Sequence, residues 1–217
     1  MEKIIFPEIP LNDFKGVLLD IDNTIYHYET CHKQALNLLI EELSKLFFLP
    51  KETIKNEYLK SRKTVNKRLY DTASSHSRFL YIQLTLEKIL GFSDFYNTLK
   101  FEKLYWDTFL SNMKLNESAK KFIFDCKAKN IPICCVTDLT AEIQFRKLMK
   151  LNLENKIKFI VTSEEVGIEK PNKKMFEKAL EKLNLKADQV IMIGDSMSKD
   201  ILGGEALEIK SFLVKST

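Results

Sequence analysis

Five short apolar runs punctuate the chain, over residues 16–20, 131–137, 159–162, 190–195 and 212–214. Gly16-Val17-Leu18-Leu19-Asp20 and Val190-Ile191-Met192-Ile193-Gly194-Asp195 are typical: four or five uncharged residues that stop at an acid. Runs of this length and composition read as strands buried on both faces. Between them the apolar spacing predicts helices over roughly 118–130, 140–151, 172–183 and 198–207. Strand and helix alternate, so the pattern predicts a parallel α/β sheet covered by helices on both sides.

Residues 26–113 break that rhythm and read as helix after helix, over about 31–48, 51–70, 77–90 and 94–112. Pro50 ends the first, because proline cannot continue a helix and biases its predecessor away from helical angles. Phe79, Ile82, Gln83 and Leu86 give the third a buried stripe. Phe92, Phe95, Tyr96, Phe101, Tyr105, Trp106 and Phe109 read as the aromatic core of this segment. The expected organisation is an α/β core over 1–25 and 114–217, with an all-helical insertion over 26–113 that is too long to be a loop.

Composition narrows the class without naming it. The chain has 217 residues, 45% apolar and 29% charged, enough to bury a sizeable core. Met1-Glu2-Lys3-Ile4-Ile5-Phe6-Pro7 does not read as a secretory leader, and no apolar run reaches the roughly 20 residues of a membrane span. Cys31, Cys126, Cys134 and Cys135 form no C-x-x-C and read as buried thiols of a reducing, cytoplasmic compartment. A net charge of +4, from 34 basic and 30 acidic residues, gives no nucleic-acid footprint. The basic stretch Lys60, Arg62, Lys63, Lys67 and Arg68 reads first as a solvated helix face.

The chemistry gathers where the apolar runs end. The first delivers Asp20-Ile21-Asp22-Asn23-Thr24, in which alternation points both carboxylates the same way. Taken alone, this segment is equally well a turn and helix cap. The second run ends in Thr137-Asp138, a later segment holds Lys170-Pro171, and the fourth strand leads into Gly194-Asp195 and on to Asp200. In an open parallel sheet the carboxyl ends of the strands face the ligand crevice. Clustered carboxylates there suit Mg²⁺, and a hydroxyl and an ammonium suit phosphoryl oxygens.

These residues, in this order, resemble the four motifs of the haloacid dehalogenase-like superfamily in its phosphatase branch. Asp20, Asp22 and Thr24 match D-x-D-x-T; Thr137 matches the strand-closing hydroxyl; Lys170-Pro171 matches the third motif; Gly194-Asp195 and Asp200 match G-D-x-x-x-x-D. The resemblance implies a Rossmann-like, doubly wound parallel sheet, with the helical insertion as a C1-type cap. It implies Asp20 as nucleophile, Asp22 as acid and then base, and Thr137 and Lys170 as holders of the phosphoryl group. It implies Mg²⁺ held by Asp20, the Asp22 carbonyl, Asp195 and Asp200.

Asp138 departs from the family pattern. Its N–H is a candidate phosphate donor, while its carboxylate is expected to cap the helix near Thr140. Arg78 is the cap residue chosen to contact substrate, because its planar fork suits a carboxylate, a second phosphate or sugar hydroxyls. Tyr26, His27 and Tyr28 are expected in a flap beside the site. The function this implies is a Mg²⁺-dependent phosphatase for a small phosphorylated metabolite, a sugar phosphate or nucleotide monophosphate, working as a monomer or homodimer without nucleic acid or membrane. The alternatives are a 2-haloacid dehalogenase, a phosphomutase and, from another class, a non-hydrolytic phosphoacceptor domain.

Overall fold

The computed structural model describes residues 4–216, so Met1–Lys3 of the segment weighed as a leader lie outside the described residues. The chain divides into two compact units, Met1–Tyr28 with Met113–Thr217, and Glu29–Asn112. The first unit thus keeps Tyr26, His27 and Tyr28, which the sequence reading placed with the insertion.

Among the described residues the first unit holds seven strands: β1 (Ile4–Ile5), β2 (Gly16–Leu19), β3 (Ile133–Thr137), β4 (Phe159–Thr162), β5 (Val190–Gly194), β6 (Lys210–Leu213) and β7 (Lys215–Ser216). The central sheet runs β4-β3-β2-β5-β6, and every pairing in it is parallel. β2 lies at its centre, with Leu19 opposite both Cys135 and Ile193. β1 and β7 form a separate antiparallel pair that the apolar pattern did not announce. The parallel sheet and its alternating helices bear out the α/β reading.

The helices, numbered along the whole chain, are α1 (Tyr28–Phe47), α2 (Lys51–Arg68), α3 (Arg78–Leu90), α4 (Phe95–Ser111), α5 (Glu117–Ala128), α6 (Ala141–Lys150), α7 (Ser163–Val166), α8 (Lys173–Leu183) and α9 (Leu202–Glu205). α8 places Met175, Phe176, Ala179 and Leu183 against Leu18, Cys134, Val136 and Met192 of the sheet. Each large side chain buried this way contributes about 1.5–3 kcal/mol. Asn172 starts α8 by accepting from the Lys174 N–H at 3.1 Å, and Asn116 starts α5 in the same manner.

The expected helix over 198–207 begins instead as a π-helical turn, Met197–Ile201, before α9. That wider turn carries Asp200 back onto Gly194, where a Cβ would stand only 2.2 Å from the Asp200 carboxylate. Glycine at 194 is therefore required by the close approach.

In the second unit the buried stripe of α2 is Ile54, Tyr58, Ser61 and Val65, and its basic residues Lys60, Arg62, Lys63, Lys67 and Arg68 are exposed. Ser77 caps α3 and Asp94 caps α4 through their side chains, and Gly91 ends α3 at φ 79°. α3 is rotated from the expected stripe: Arg78, Tyr81, Ile82, Thr85 and Leu86 are inside, while Phe79 is exposed. The polar members can lie inward because the Thr85 hydroxyl donates to the Tyr81 carbonyl at 2.6 Å. Phe101, Tyr105, Trp106 and Phe109 form the expected aromatic core, with Tyr105 and Trp106 edge to face at 5.1 Å. Phe92, Phe95 and Tyr96 do not join it; they stand exposed where α4 begins. Among the described residues no helix is long and apolar enough to cross a membrane.

Candidate active site

β2 ends in a loop whose first residue, Asp20, donates its N–H to the Ile193 carbonyl at 2.9 Å, tying it to β5. Asn23 takes the left-handed conformation at φ 61° and accepts from the Tyr28 N–H at 3.0 Å. This turns the loop back on itself and sends Thr24 inward. The Thr24 hydroxyl donates to Asp20 Oδ2 at 2.7 Å and approaches Asp195 Oδ1 at 3.4 Å.

One cleft of about 200 Å³ gathers Asp20, Asp22, Thr137, Asp138, Lys170, Asp195 and Asp200 from the ends of β2, β3 and β5 and the loop before α8. A cleft of that size suits a phosphoryl group rather than a whole metabolite. A larger groove of about 490 Å³ beside α6 and β4 is lined mainly by apolar side chains such as Phe145, Leu148 and Ile157, and holds none of these seven residues.

Lys170 organises the buried side of the cleft. The residue is 3% exposed, and its ammonium donates to Asp20 Oδ1 at 2.7 Å, Asp200 Oδ1 at 2.6 Å and the Val136 carbonyl at 2.9 Å. Burial would lower its pKa, but Asp20 and Asp200 together drive it well above the ordinary value, so the charge stays. The carboxylates are less balanced. Burial pushes Asp20 up to about 8, Lys170 opposing it while Asp200 and Asp195 add to it. Asp195, exposed at the mouth yet closely surrounded, is raised to about 6 by lost hydration and by Asp200. One ammonium faces three acids.

That surplus is the test of fit for a cation. Oxygen atoms of Asp20, Asp195 and Asp200 lie within 4.8 Å of one another. Hard divalent cations take oxygen donors, and an ion there would offset the lost hydration and the mutual repulsion that lift these pKa values. The donor set fits Mg²⁺.

Asp22 lives under the opposite field. Its Oδ1 accepts from the Tyr26 hydroxyl and from Lys147 Nζ at 2.6 Å; its Oδ2 accepts from Lys147 at 2.9 Å and Gln144 Nε2 at 3.2 Å. Burial alone would raise the Asp22 carboxyl, yet Lys147 and these hydrogen bonds outweigh it and hold the pKa below the usual carboxylate value. Gln144 also donates to the Thr137 hydroxyl at 2.7 Å and to the Asp138 carbonyl at 2.8 Å, linking the two strand ends.

Lys147 and Gln144 were not expected here, and Tyr26 was expected beside the site as part of a flap, not as a partner of Asp22. The signal was present in α6: Gln144 and Lys147 occupy its inward face between Ile143 and Leu148, where an apolar pair would be ordinary.

Asp138 does not cap α6. Its Oδ1 accepts from the Lys170 N–H at 3.0 Å and its Oδ2 pairs with Lys199 at 2.8 Å, and Lys199 also reaches Glu169 at 3.0 Å. Glu164 supplies the α6 cap instead, accepting from the Ala141 N–H at 2.8 Å. The loop before α8 thus offers Asp138 a main-chain donor and the π-helical turn a cation, Lys199, which the α6 terminus does not.

Arg78 is buried inside the helical unit, 5% exposed. Its Nη1 donates to the His76 carbonyl at 2.6 Å and its Nε to the Tyr105 hydroxyl at 3.3 Å. The guanidinium also lies 5.4–5.8 Å from the ring centroids of Trp106, Tyr105 and Tyr81. These contacts tie α3 to α4.

A model of the haloacid dehalogenase-like hydrolases matches residues 14–208. The chain belongs to that family. It is 32% identical over 199 residues to the ribulose-1,5-bisphosphate 5-phosphatase of Halopiger xanaduensis, covering 91% of this chain and 83% of that protein. It is 26% identical over 214 residues to the glyceraldehyde 3-phosphate phosphatase of Methanothermobacter thermautotrophicus, covering 93% and 86%. The HAD-hydrolase YfnB of Bacillus subtilis, solved bound to magnesium, shares the fold at a TM-score of 0.67 and 24% identity, covering 91% of this chain and 87% of that one. The HAD-like chain described here is accordingly an enzyme, a phosphoric monoester hydrolase.

Proposed function

We propose that this enzyme is a Mg²⁺-dependent phosphatase that hydrolyses a small sugar phosphate through an aspartyl-phosphate on Asp20. The observation that carries the reading is the buried Asp20 carboxylate, held by Lys170 on one oxygen and Thr24 on the other, two residues before a second oriented carboxylate. Asp20 attacks phosphorus: an Asp20–phosphorus bond forms as the bond to the leaving oxygen breaks. Asp22, protonated as the incoming phosphate charge opposes its ionisation, gives that oxygen a proton. It then takes one from the water that cleaves the aspartyl-phosphate, which releases inorganic phosphate and restores Asp20.

Thr137, the Asp138 N–H and Lys170 hold the phosphoryl oxygens during both displacements. Mg²⁺, when bound by Asp20, Asp195, Asp200 and the Asp22 carbonyl, supplies further neutralisation of phosphoryl charge. The sugar-phosphate class follows from the two long-range relatives, both named for phosphorylated sugars or trioses. The helical unit is read as the cap that selects the leaving group. Four buried cysteines suit a reducing, cytoplasmic compartment.

The test is phosphate release from a panel of sugar phosphates and nucleotide monophosphates, with and without added Mg²⁺. The reading expects turnover of sugar phosphates above nucleotides, abolished by chelation. A preference for nucleotides, or turnover that persists in chelator, would overturn it.

A further inference from the structure

Lys147 is fully buried, and a buried ammonium is costly unless an anion meets it. The anion here is Asp22, more than a hundred residues earlier in the chain, and the contact is two-pronged, at 2.6 and 2.9 Å. Tyr26 adds its hydroxyl to Oδ1 and Gln144 its amide to Oδ2, so each carboxylate oxygen is held from two sides. The ammonium is itself flanked by the rings of Tyr26 and Tyr28, both 5.8 Å from it. Gln144 Oε1 is left buried without a hydrogen-bond partner. An orphaned oxygen is a cost that the amide accepts in order to aim its two N–H groups at Asp22, Thr137 and the Asp138 carbonyl.

An aspartate on a loop has two free torsions, and a proton donor must sit within hydrogen-bond reach of the atom it serves. We propose that Lys147, assisted by Tyr26 and Gln144, is a positioning residue that fixes the Asp22 carboxylate in register with the Asp20 nucleophile. The proposal rests on the acid–base reading of Asp22. Lys147 touches neither phosphorus nor the leaving group; it acts through Asp22. The same contact fastens α6 to the β2 loop, so the helix that orients Thr137 through Gln144 also orients Asp22. Both sides of the transferring group are then set by one rigid element.

The test compares kcat/KM on phenyl phosphate with that on p-nitrophenyl phosphate, two substrates of nearly equal shape whose leaving oxygens differ in their need for a proton. Asp22→Asn is expected to lose more on phenyl phosphate. Lys147→Met should reproduce that bias, with a loss about fivefold or more greater on phenyl phosphate, whereas a merely structural change lowers both alike. In the Asp22→Asn background Lys147→Met should add less than about twofold, since nothing is left to position. Tyr26→Phe, which removes one hydroxyl and keeps the ring, should show the same bias more weakly and covers the case in which Lys147→Met does not fold.

If Asp22→Asn is biased but Lys147→Met and Tyr26→Phe lower both substrates equally, or multiply fully with Asp22→Asn, the positioning role is overturned and the acid–base reading stands. If Asp22→Asn itself has near-native rates on both substrates, the acid–base reading falls and the positioning role with it.

Discussion

On one side of the β2 end, Asp20 shares a cluster with Asp195 and Asp200 against the single ammonium of Lys170. On the other, Asp22 has the Lys147 ammonium on both its oxygens and two further donors besides. Burial acts on both carboxyls in the same direction, yet Asp20 ends far above the ordinary aspartate value and Asp22 below it. On Asp20 burial prevails, because two neighbouring acids offset Lys170; on Asp22 the Lys147 charge and the surrounding donors outweigh burial. A crowded anionic pocket invites a cation. A saturated carboxylate holds its place. Two residues of one loop thereby acquire two environments suited to two tasks.

The largest effect should come from Asp20. Asp20→Asn removes the nucleophile and one of the cluster's charges, and should lower phosphate release by about four orders of magnitude or more while the circular dichroism spectrum is kept. Lys170→Met should cost about 10²–10³-fold in kcat, because it leaves three acids without their ammonium and the phosphoryl oxygens without a donor. The corresponding change on the other side, Lys147→Met, should be milder and selective for leaving group. Equal, unselective losses from both lysines would erase the comparison.

A third effect is thermodynamic. A carboxyl whose folded pKa is raised contributes stability that is complete below its unfolded value and is lost as pH rises through the folded value. For Asp195, raised to about 6, and Asp20, raised to about 8, that contribution drains away from about pH 4 to pH 8 without a cation. Mg²⁺ competes with those protons, so the rise in melting temperature on adding it should grow from pH 5 to pH 8. A rise independent of pH would mean that the cluster is not where Mg²⁺ binds.

The smallest effect serves as a control outside both environments. Arg78→Ala should lower the melting temperature by about 4–8 °C, an effect of ~2 kcal/mol from lost packing in the helical unit. Rates on p-nitrophenyl phosphate should be unchanged. A selective loss on a sugar phosphate with an unchanged melting point would instead assign Arg78 to substrate.

The sequence made one of the two environments readable. Asp20, Thr137 and Asp195 each follow or close an apolar run, so the strand that buries them also announces them. Lys170 precedes a proline and Asp200 follows a Gly-Asp pair, which local patterns also flag. The Asp22 environment was hidden because two of its partners come from the middle of α6, where lysine and glutamine look like surface residues until the helix's inward face is drawn. Arg78 misled for the mirror-image reason: a guanidinium beside a polar turn suggests exposure, but the ring faces of Tyr81, Tyr105 and Trp106 make an interior place for it. The π-helical turn at Met197–Ile201 was unreadable because it depends on Gly194 admitting Asp200, a contact between neighbouring elements rather than a local preference.

The division of labour between Asp20 and Asp22 is tested most directly by trapping. Asp22→Asn enzyme is mixed with p-nitrophenyl phosphate and Mg²⁺, quenched in acid within seconds, and its intact mass and peptide masses are measured. A good leaving group needs little help from an acid, so the first displacement should proceed while hydrolysis of the adduct stalls for want of a base. The account predicts one phosphoryl group per chain, located on Asp20 and absent from Asp20→Asn, Asp22→Asn enzyme. A phosphoryl group on any other residue, or an unmodified chain that still releases nitrophenol, would contradict it.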